Sequence, residues 1–212
     1  MKTKAIKDKL SPKSLIRELN GLAREVLLEI EGRKNPGFDV PNRGADNIFY
    51  DERRDVIHLG EKESRRTFHN IATTNAFTQM LFILSVLQGT AKMEKHLTKR
   101  EIYYQDPMLF NKEQNASDSL IEDIAVTMGV TRPCLRVVAT AKGVCIGDLT
   151  LQESGDTFNC NNLGRGGWSI SPFIDEVEIH DCGAEYVLVV EKDAALIRLI
   201  EEDYHKKNKC LL

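Results

Sequence analysis

The chain has 212 residues, of which 42% are apolar, 29% charged and 7% aromatic. That composition excludes a fibrous, low-complexity or largely disordered protein, and the length suits one large domain or two small ones. The net charge of −3 hides an asymmetry: residues 1–104 carry 19 Lys and Arg against 14 Asp and Glu, whereas residues 105–212 carry 10 against 18. A weakly basic half joined to an acidic one does not describe a protein that coats DNA generically. It leaves room for a nucleic-acid surface on one part and a metal or partner site on the other. The longest apolar run, Met80–Leu87 broken by Ser85, falls short of the roughly 20 residues that a membrane span needs. The Lys-rich N-terminus lacks the apolar stretch and cleavage site of a secretory signal. Cys134, Cys145, Cys160, Cys182 and Cys210 form no Cys-x-x-Cys pair, and read as reduced thiols of a cytoplasmic protein rather than disulfides or zinc ligands.

In chain order, the first thirteen residues read as a mobile Lys-rich arm. Leu15, Ile16, Leu19, Leu22, Ala23, Val26, Leu27 and Ile30 then fall on one face of a helix that Gly32 ends. The stripe suits either an ordinary core helix or one that packs on a partner chain. Asn35–Asp46 is a loop, and 47–50 and 56–59 form a hairpin across a polar turn. His58 has no second ligand at metal spacing. Arg65-Arg66 reads as solvated surface or as a phosphate contact. A long helix from Asn70 to about Leu87 has the apolar density of a core centre.

Two further helix starts carry capping boxes, Thr98-Lys99-Arg100-Glu101 and Ser119-Leu120-Ile121-Glu122. Thr131-Arg132-Pro133 has the form of a third start. Ser119–Gly129 followed by Thr131–Ala139 reads as a helix-turn-helix, with Arg132 and Arg136 on one face of the second helix as DNA-reading residues. Lys142-Gly143, 144–146, Gly147-Asp148 and 149–151 read as a glycine-turned hairpin, the wing of a winged helix. After a polar connector from Ser154 to Gly167, Ala184–Val190 is a near-continuous apolar strand expected to be buried on both faces. It runs into Glu191-Lys192-Asp193, then a helix from Ala194 to about Asp203, then the apolar start of another strand at 210–212. That is half of a doubly wound α/β unit, with a carboxylate at a strand's C-terminal end, where such folds place their chemistry. The abrupt apolar end suggests a chain that stops inside a domain.

Tyr103-Tyr104, one turn after Arg100, reads as two core or rim aromatics, or as a nucleophile toward a phosphodiester. A phenol with a pKa near 10 needs help in that task. An arginine can stabilise the phenolate and the charge developing on phosphorus, and a divalent metal can polarise the phosphate. Arg100 supplies the first, and Glu191 is a candidate for part of a Mg²⁺ site, since this ion usually takes one or two protein carboxylates.

The segment Thr98-Lys99-Arg100-Glu101-Ile102-Tyr103-Tyr104 resembles the active-site segment of the A subunits of type IIB DNA topoisomerases (topoisomerase VI) and of their eukaryotic relatives that make meiotic double-strand breaks. Val189-Val190-Glu191-Lys192-Asp193-Ala194 resembles the family's first Toprim motif. Arg66–Asn70, Ala141–Gly143 with Gly147-Asp148, and Ser169–Pro172 fit in order, so the resemblance covers roughly residues 45–212. It implies an α+β multidomain fold: a winged-helix (CAP-like) DNA-binding domain followed by the start of an α/β Toprim domain. The expected domains are an N-terminal arm, partner-binding helix and hairpin over 1–68, the winged-helix domain over 69–151, and a connector with an incomplete Toprim domain over 152–212.

The resemblance also implies the chemistry. Tyr104 is the nucleophile that becomes linked to a DNA 5′ end, Arg100 supports the attack, and Glu191 holds Mg²⁺ and takes part in acid/base exchange. Arg132, Arg136 and Lys142 contact DNA. The implied reaction is cleavage and rejoining of double-stranded DNA, which relaxes and decatenates it. The implied assembly is a homodimer of A subunits within an A2B2 heterotetramer, in which the tyrosine of one protomer meets the metal site of its partner. Only the B subunit binds ATP; it is a GHKL ATPase on which the Leu15–Ile30 helix docks. The location is the nucleoid-bearing cytoplasm of an archaeon or bacterium, or the nucleus of a eukaryote. No membrane is involved. The family's Asp-x-Asp metal motif lies beyond Leu212, so this chain alone is expected to bind DNA weakly without cutting it. Two alternatives are a winged-helix transcription regulator with an α/β partner domain, which gives no role to Tyr104 with Glu191, and a non-catalytic assembly fragment.

Overall fold

The computed structural model describes Lys7, residues 9–53 and residues 55–212. Most of the expected N-terminal arm, residues 1–6 and 8, and Arg54 of the hairpin turn lie outside the described residues. The chain divides into two compact units, the first ending at Val138 and the second running Ala139–Leu212. The expected domain boundary lay further on, after Leu151.

The first unit is helical around a single apolar core. Helix α1 (Pro12–Glu31) starts where the Ser11 hydroxyl accepts the Ser14 N–H at 3.2 Å, with Pro12 in its first turn, and it ends at Gly32. Its apolar stripe divides. Leu15, Leu19 and Val26 are buried against the core, while Leu27 and Ile30 are more than half exposed. Strand β1 (Gly37–Pro41) buries Phe38 and Val40. β2 (Ile48–Asp51) and β3 (Val56–Leu59) form the expected antiparallel hairpin, Ile48 opposite Leu59. β4 (Glu63–Thr67) returns antiparallel to β1.

Helix α2 (Ile71–Lys92) is capped by the Asn70 side chain. Its 22 residues, with a mean hydropathy of 1.2 over their best window, match a membrane span in length and composition. Met80, Ile83 and Leu87, at 1% exposure or less, make it the central helix of a globular core instead. β5 (Leu97–Thr98) leads into helix α3 (Lys99–Gln105), and helix α4 (Gln114–Met128) follows. Gly129, at φ 66°, ends α4 in the left-handed conformation that glycine tolerates best. The unit closes with β6 (Val137–Val138), parallel to β5.

Two expectations fail here. Ser119 does not start a helix; it lies inside α4, which begins at Gln114. Nor does Thr131–Ala139 form a recognition helix. Residues Arg132–Leu135 make one 3₁₀ turn, Arg136 flips to φ 60°, and the chain enters β6. A left-handed residue cannot continue a right-handed helix, so Arg132 and Arg136 share no helix face.

The second unit holds short strands: β7 (Val144–Cys145), β8 (Leu149–Glu153), β9 (Asp156–Asn159), β10 (Trp168–Ser169) and β11 (Glu178–Cys182). The expected wing hairpin is not formed, because β7 pairs with β10 while β8 lies between β9 and β11. β12 (Tyr186–Val187), helix α5 (Asp193–Glu201), helix α6 (Tyr204–Lys207) and β13 (Cys210–Leu211) then form a β-α-β unit, its two strands parallel with Tyr186 opposite Cys210. The expected strand over 184–190 is thus only two residues long and is not buried, Val187 being 65% and Val189 87% exposed. Residues 146 and 212 exchange backbone hydrogen bonds at 3.0 and 2.9 Å beside β13. Gly147, at φ 140°, allows this approach, since a Cβ there would fall 2.7 Å from the Cys210 carbonyl oxygen.

His205 on α6 is 6% exposed, and its Nδ1 has no hydrogen-bond partner among the described residues. Burial, helped by Lys206 and opposed by Asp203, pushes its pKa below the ordinary 6.5. The folded chain therefore holds the neutral imidazole while the unfolded chain takes a proton below 6.5. Stability is full above that pH and falls as the pH drops toward the depressed folded value. Urea unfolding of the chain as a function of pH should show this slope, and His205→Leu should flatten it.

Candidate active site

Helix α3 is held at its start by two reciprocal bonds. The Thr98 hydroxyl accepts the Glu101 N–H at 3.2 Å, and the Glu101 carboxylate accepts the Thr98 N–H at 2.6 Å. This is the capping box expected from Thr98-x-x-Glu101. The pairing of β5 with β6 ties the preceding residues to the chain after α4. Ile102 is completely buried and fixes the rotation of the helix. Tyr103 packs at the core edge with its ring 6.3 Å from that of Phe110. Tyr104, whose ring is 5.4 Å from Tyr103, is 61% exposed. Of the two tyrosines, the second is therefore the more exposed.

Arg100 is exposed one turn before Tyr104, and its Nε donates to the Gln114 side-chain oxygen at 3.4 Å. Gln114 is the first residue of α4, and its proximity had no signal in the sequence. The phenol and the guanidinium thus stand one turn apart on the same short helix, as a nucleophile and its charge-stabilising neighbour require.

The other basic candidates are placed differently. Arg132 Nη1 meets Glu122 Oε1 at 3.5 Å. Arg136 donates from Nε to the Lys95 carbonyl and from Nη2 to the Glu94 carbonyl, both at 2.5 Å, so it binds the chain just after α2. Lys142 is exposed in the segment before β7. Arg65 is paired with Asp39 at 2.7 Å and Glu29 at 2.5 Å, and Arg65 in turn holds the Glu29 carboxyl below its usual range against the opposing effect of burial. Arg66 and Arg43 both bind Asp123, which is 4% exposed. These three line an open cleft of about 390 Å³ with Ser64 and Ser119. The Arg65-Arg66 pair is therefore tied to carboxylates of the chain itself, partners that lie too far away in sequence to be foreseen.

Glu191 belongs to the second unit. It is exposed between β12 and α5, beyond the C-terminal end of a strand in a parallel pair. Asp193 opens α5. Among the described residues no group of three or more His, Cys, Asp or Glu is placed to hold a metal ion. Glu191 therefore offers one hard oxygen ligand, which fits Mg²⁺ as a partner of water and phosphate but is not a complete site.

Residues 75–137, the span that contains α3, α4 and Tyr104, match the family model of type IIB DNA topoisomerases. The whole chain is 36% identical over 221 aligned residues to the A subunit of type 2 DNA topoisomerase 6 from Pyrococcus abyssi, and it spans 58% of that protein. It is 36% identical over 199 residues to the A3 subunit of DNA topoisomerase 6 from Oryza sativa subsp. indica, with 94% of the chain and 45% of the relative covered. It is 35% identical over 175 residues to the A subunit of DNA topoisomerase 6 from Arabidopsis thaliana, with 82% of the chain and 41% of the relative covered. The chain is similar along its length to topoisomerase 6 A subunits, and it spans about half the length of these relatives.

The capping box makes a measurable contribution to α3. Thr98→Ala should lower the stability of the chain by about 1 kcal/mol in chemical denaturation, and Thr98→Ser should recover most of that loss.

Proposed function

We propose that this chain is the strand-cutting part of a topoisomerase 6 A subunit, with Tyr104 as nucleophile toward duplex DNA. The observation that carries the reading is the disposition of α3: Tyr104 is exposed, Arg100 precedes it by one turn, and the helix lies in the segment matched to the type IIB family. The Tyr104 phenol loses its proton and its oxygen forms a bond to phosphorus. The bond from phosphorus to the 3′ oxygen breaks, and that oxygen leaves as a hydroxyl once protonated. The 5′ phosphate stays on the tyrosine, and the reverse step reseals the strand. Arg100 stabilises the phenolate and the negative charge that grows on the phosphoryl oxygens. Glu191 would hold Mg²⁺, which when bound supplies polarisation of the phosphate. Glu191 would also exchange a proton with the 3′ oxygen.

Residues 69–151 then take the part of the winged-helix DNA-binding domain, without the recognition helix and wing hairpin expected of it, and the β-α-β unit of the second compact unit takes the part of the start of a Toprim domain. Lys142 is the DNA contact that the geometry favours, because the guanidinium groups of Arg132 and Arg136 meet partners within the chain. Two A subunits cut opposite strands, and an ATPase B subunit drives the passage of a second duplex in an A2B2 assembly. Only the B subunit binds ATP. The exposed apolar end of α1 at Leu27 and Ile30 is available to that partner. The site of action is the chromosome, in the nucleoid or the nucleus.

In the assembled enzyme, Tyr104→Phe should abolish the covalent protein–DNA adduct on denaturing gels while DNA binding persists. A Tyr104→Phe enzyme that still forms the adduct would place the nucleophile elsewhere.

A further inference from the structure

Helix α3 has only seven residues, too few to hold its own orientation. Ile102 anchors one side of it. A further fixed point, one turn earlier on the neighbouring face, is Lys99, the first residue of the helix and the neighbour of Arg100. Its Nζ lies 3.3 Å from Asp118 Oδ2 and 3.8 Å from Glu122 Oε1. Asp118 and Glu122 are four residues apart on α4 and so share one face. The ammonium group sits across this pair like a peg. Glu122 continues the chain of charges to Arg132 Nη1 at 3.5 Å. The side chains of all four residues are between 22% and 33% exposed, so the pairs are shielded more than freely exposed ones and less than buried ones.

We propose that Lys99 is a positioning residue: clamped by Asp118 and Glu122 of α4, it sets the tilt of the tyrosine helix and thereby aims Tyr104 and Arg100. The proposal rests on the reading of Tyr104 as nucleophile. Tilt of α3 about the Ile102 contact is the freedom that matters. Ile102 and Lys99 lie three residues apart, and Tyr104 and Arg100 project from the same turns. A helix fixed by Ile102 alone can still rock about that contact, whereas two fixed points at different places on its surface stop the motion. The clamp also ties the first turn of α3 to the Arg132 turn through Glu122, so that the tyrosine helix, α4 and the segment before β6 are held as one body.

The test uses the assembled enzyme, with covalent adduct formation measured at saturating DNA and the DNA Kd measured separately. Tyr104→Phe is included as a control, and thermal melting reports folding. Lys99→Glu and Lys99→Gln should each slow adduct formation by roughly 10- to 100-fold, the cost of a displacement near 1 Å, with the DNA Kd unchanged. Lys99→Arg should retain most of the rate. The decisive variant is the charge swap Lys99→Glu with Asp118→Lys, which leaves Glu122 paired with Arg132 and should restore the rate lost in either single variant. Folded Lys99→Gln with the wild-type rate overturns the proposal. So does a folded charge swap that stays as slow as the singles, or a loss that appears in the DNA Kd alone, which would make Lys99 a direct DNA contact. If the wild-type enzyme forms no adduct, or Tyr104→Phe forms one, the underlying reading of Tyr104 fails instead, and these controls tell the two failures apart.

Discussion

The complete burial of Ile102 is the constraint on which the tyrosine helix depends. An α-helix advances about 100° per residue. With Ile102 turned into the core, Tyr103 falls at the core edge and Tyr104 on the far side, toward solvent. A burial preference therefore selects which of two chemically identical phenols is presented. Burying a Tyr104 ring would strand its hydroxyl, and exposing Ile102 would forfeit apolar burial, so both residues favour the same rotation. The capping box then fixes where the helix begins, and the strand pair β5–β6 fixes the path of the chain into it.

A second fixed point lies deeper in the unit. Asp123 on α4, almost fully buried, accepts from Arg43 at 2.9 Å and also binds Arg66 on β4. A lone buried carboxylate is costly, but two guanidinium groups with directed N–H bonds offset that cost. Arg43 also donates to the Ser119 carbonyl and hydroxyl at 3.2 and 3.1 Å. Three separated stretches of chain, the loop after β1, strand β4 and helix α4, are thus held by one acid. α4 in turn is the helix on which α3 rests through Lys99. The orientation of the tyrosine helix thus depends on a charge cluster that includes none of its own residues.

These two features differ in how far the sequence reveals them. The cap at Thr98 is a local signal and appears where its residue spacing places it, whereas Ser11, which caps α1, falls within the stretch expected to be an arm. The hairpin over residues 48–59 and the β-α-β pattern ending at β13 follow from strand periodicity and turn residues in the same way. The Ser119 box fails because its atoms are used elsewhere. Ser119 accepts from Arg43, a residue 76 positions away, while α4 has already started at Gln114. The recognition helix fails because one residue, Arg136, adopts a left-handed conformation and donates to carbonyls beyond the end of α2. The wing fails because pairing partners are chosen across the unit: β7 finds β10 instead of its neighbour in sequence. Tyr104, Arg100 and Glu191 were legible as residue types in motifs, whereas Gln114 and the Lys99 clamp depend on α3 meeting α4.

The position of Glu191 follows from topology more than from contacts. A parallel strand pair requires a crossover, and here α5 and α6 supply it between β12 and β13. The crossover must leave the first strand at its C-terminal end, so the residues between strand and helix gather there. That edge carries Glu191, Lys192 and Asp193, and Lys192 stands at the start of α5 without a side-chain cap bond. The apolar residues just before it, Val187 and Val189, stay exposed on a strand of two residues, although their sequence is that of a strand covered on both faces. The pattern of residues specifies the environment suited to a strand, and packing decides whether that environment is provided. At β12 the backbone pairing is formed and the burial is not. The chemistry assigned to Glu191 therefore rests on the placement of a carboxylate by the fold, and that placement needs only the parallel register of Tyr186 with Cys210 and Val187 with Leu211.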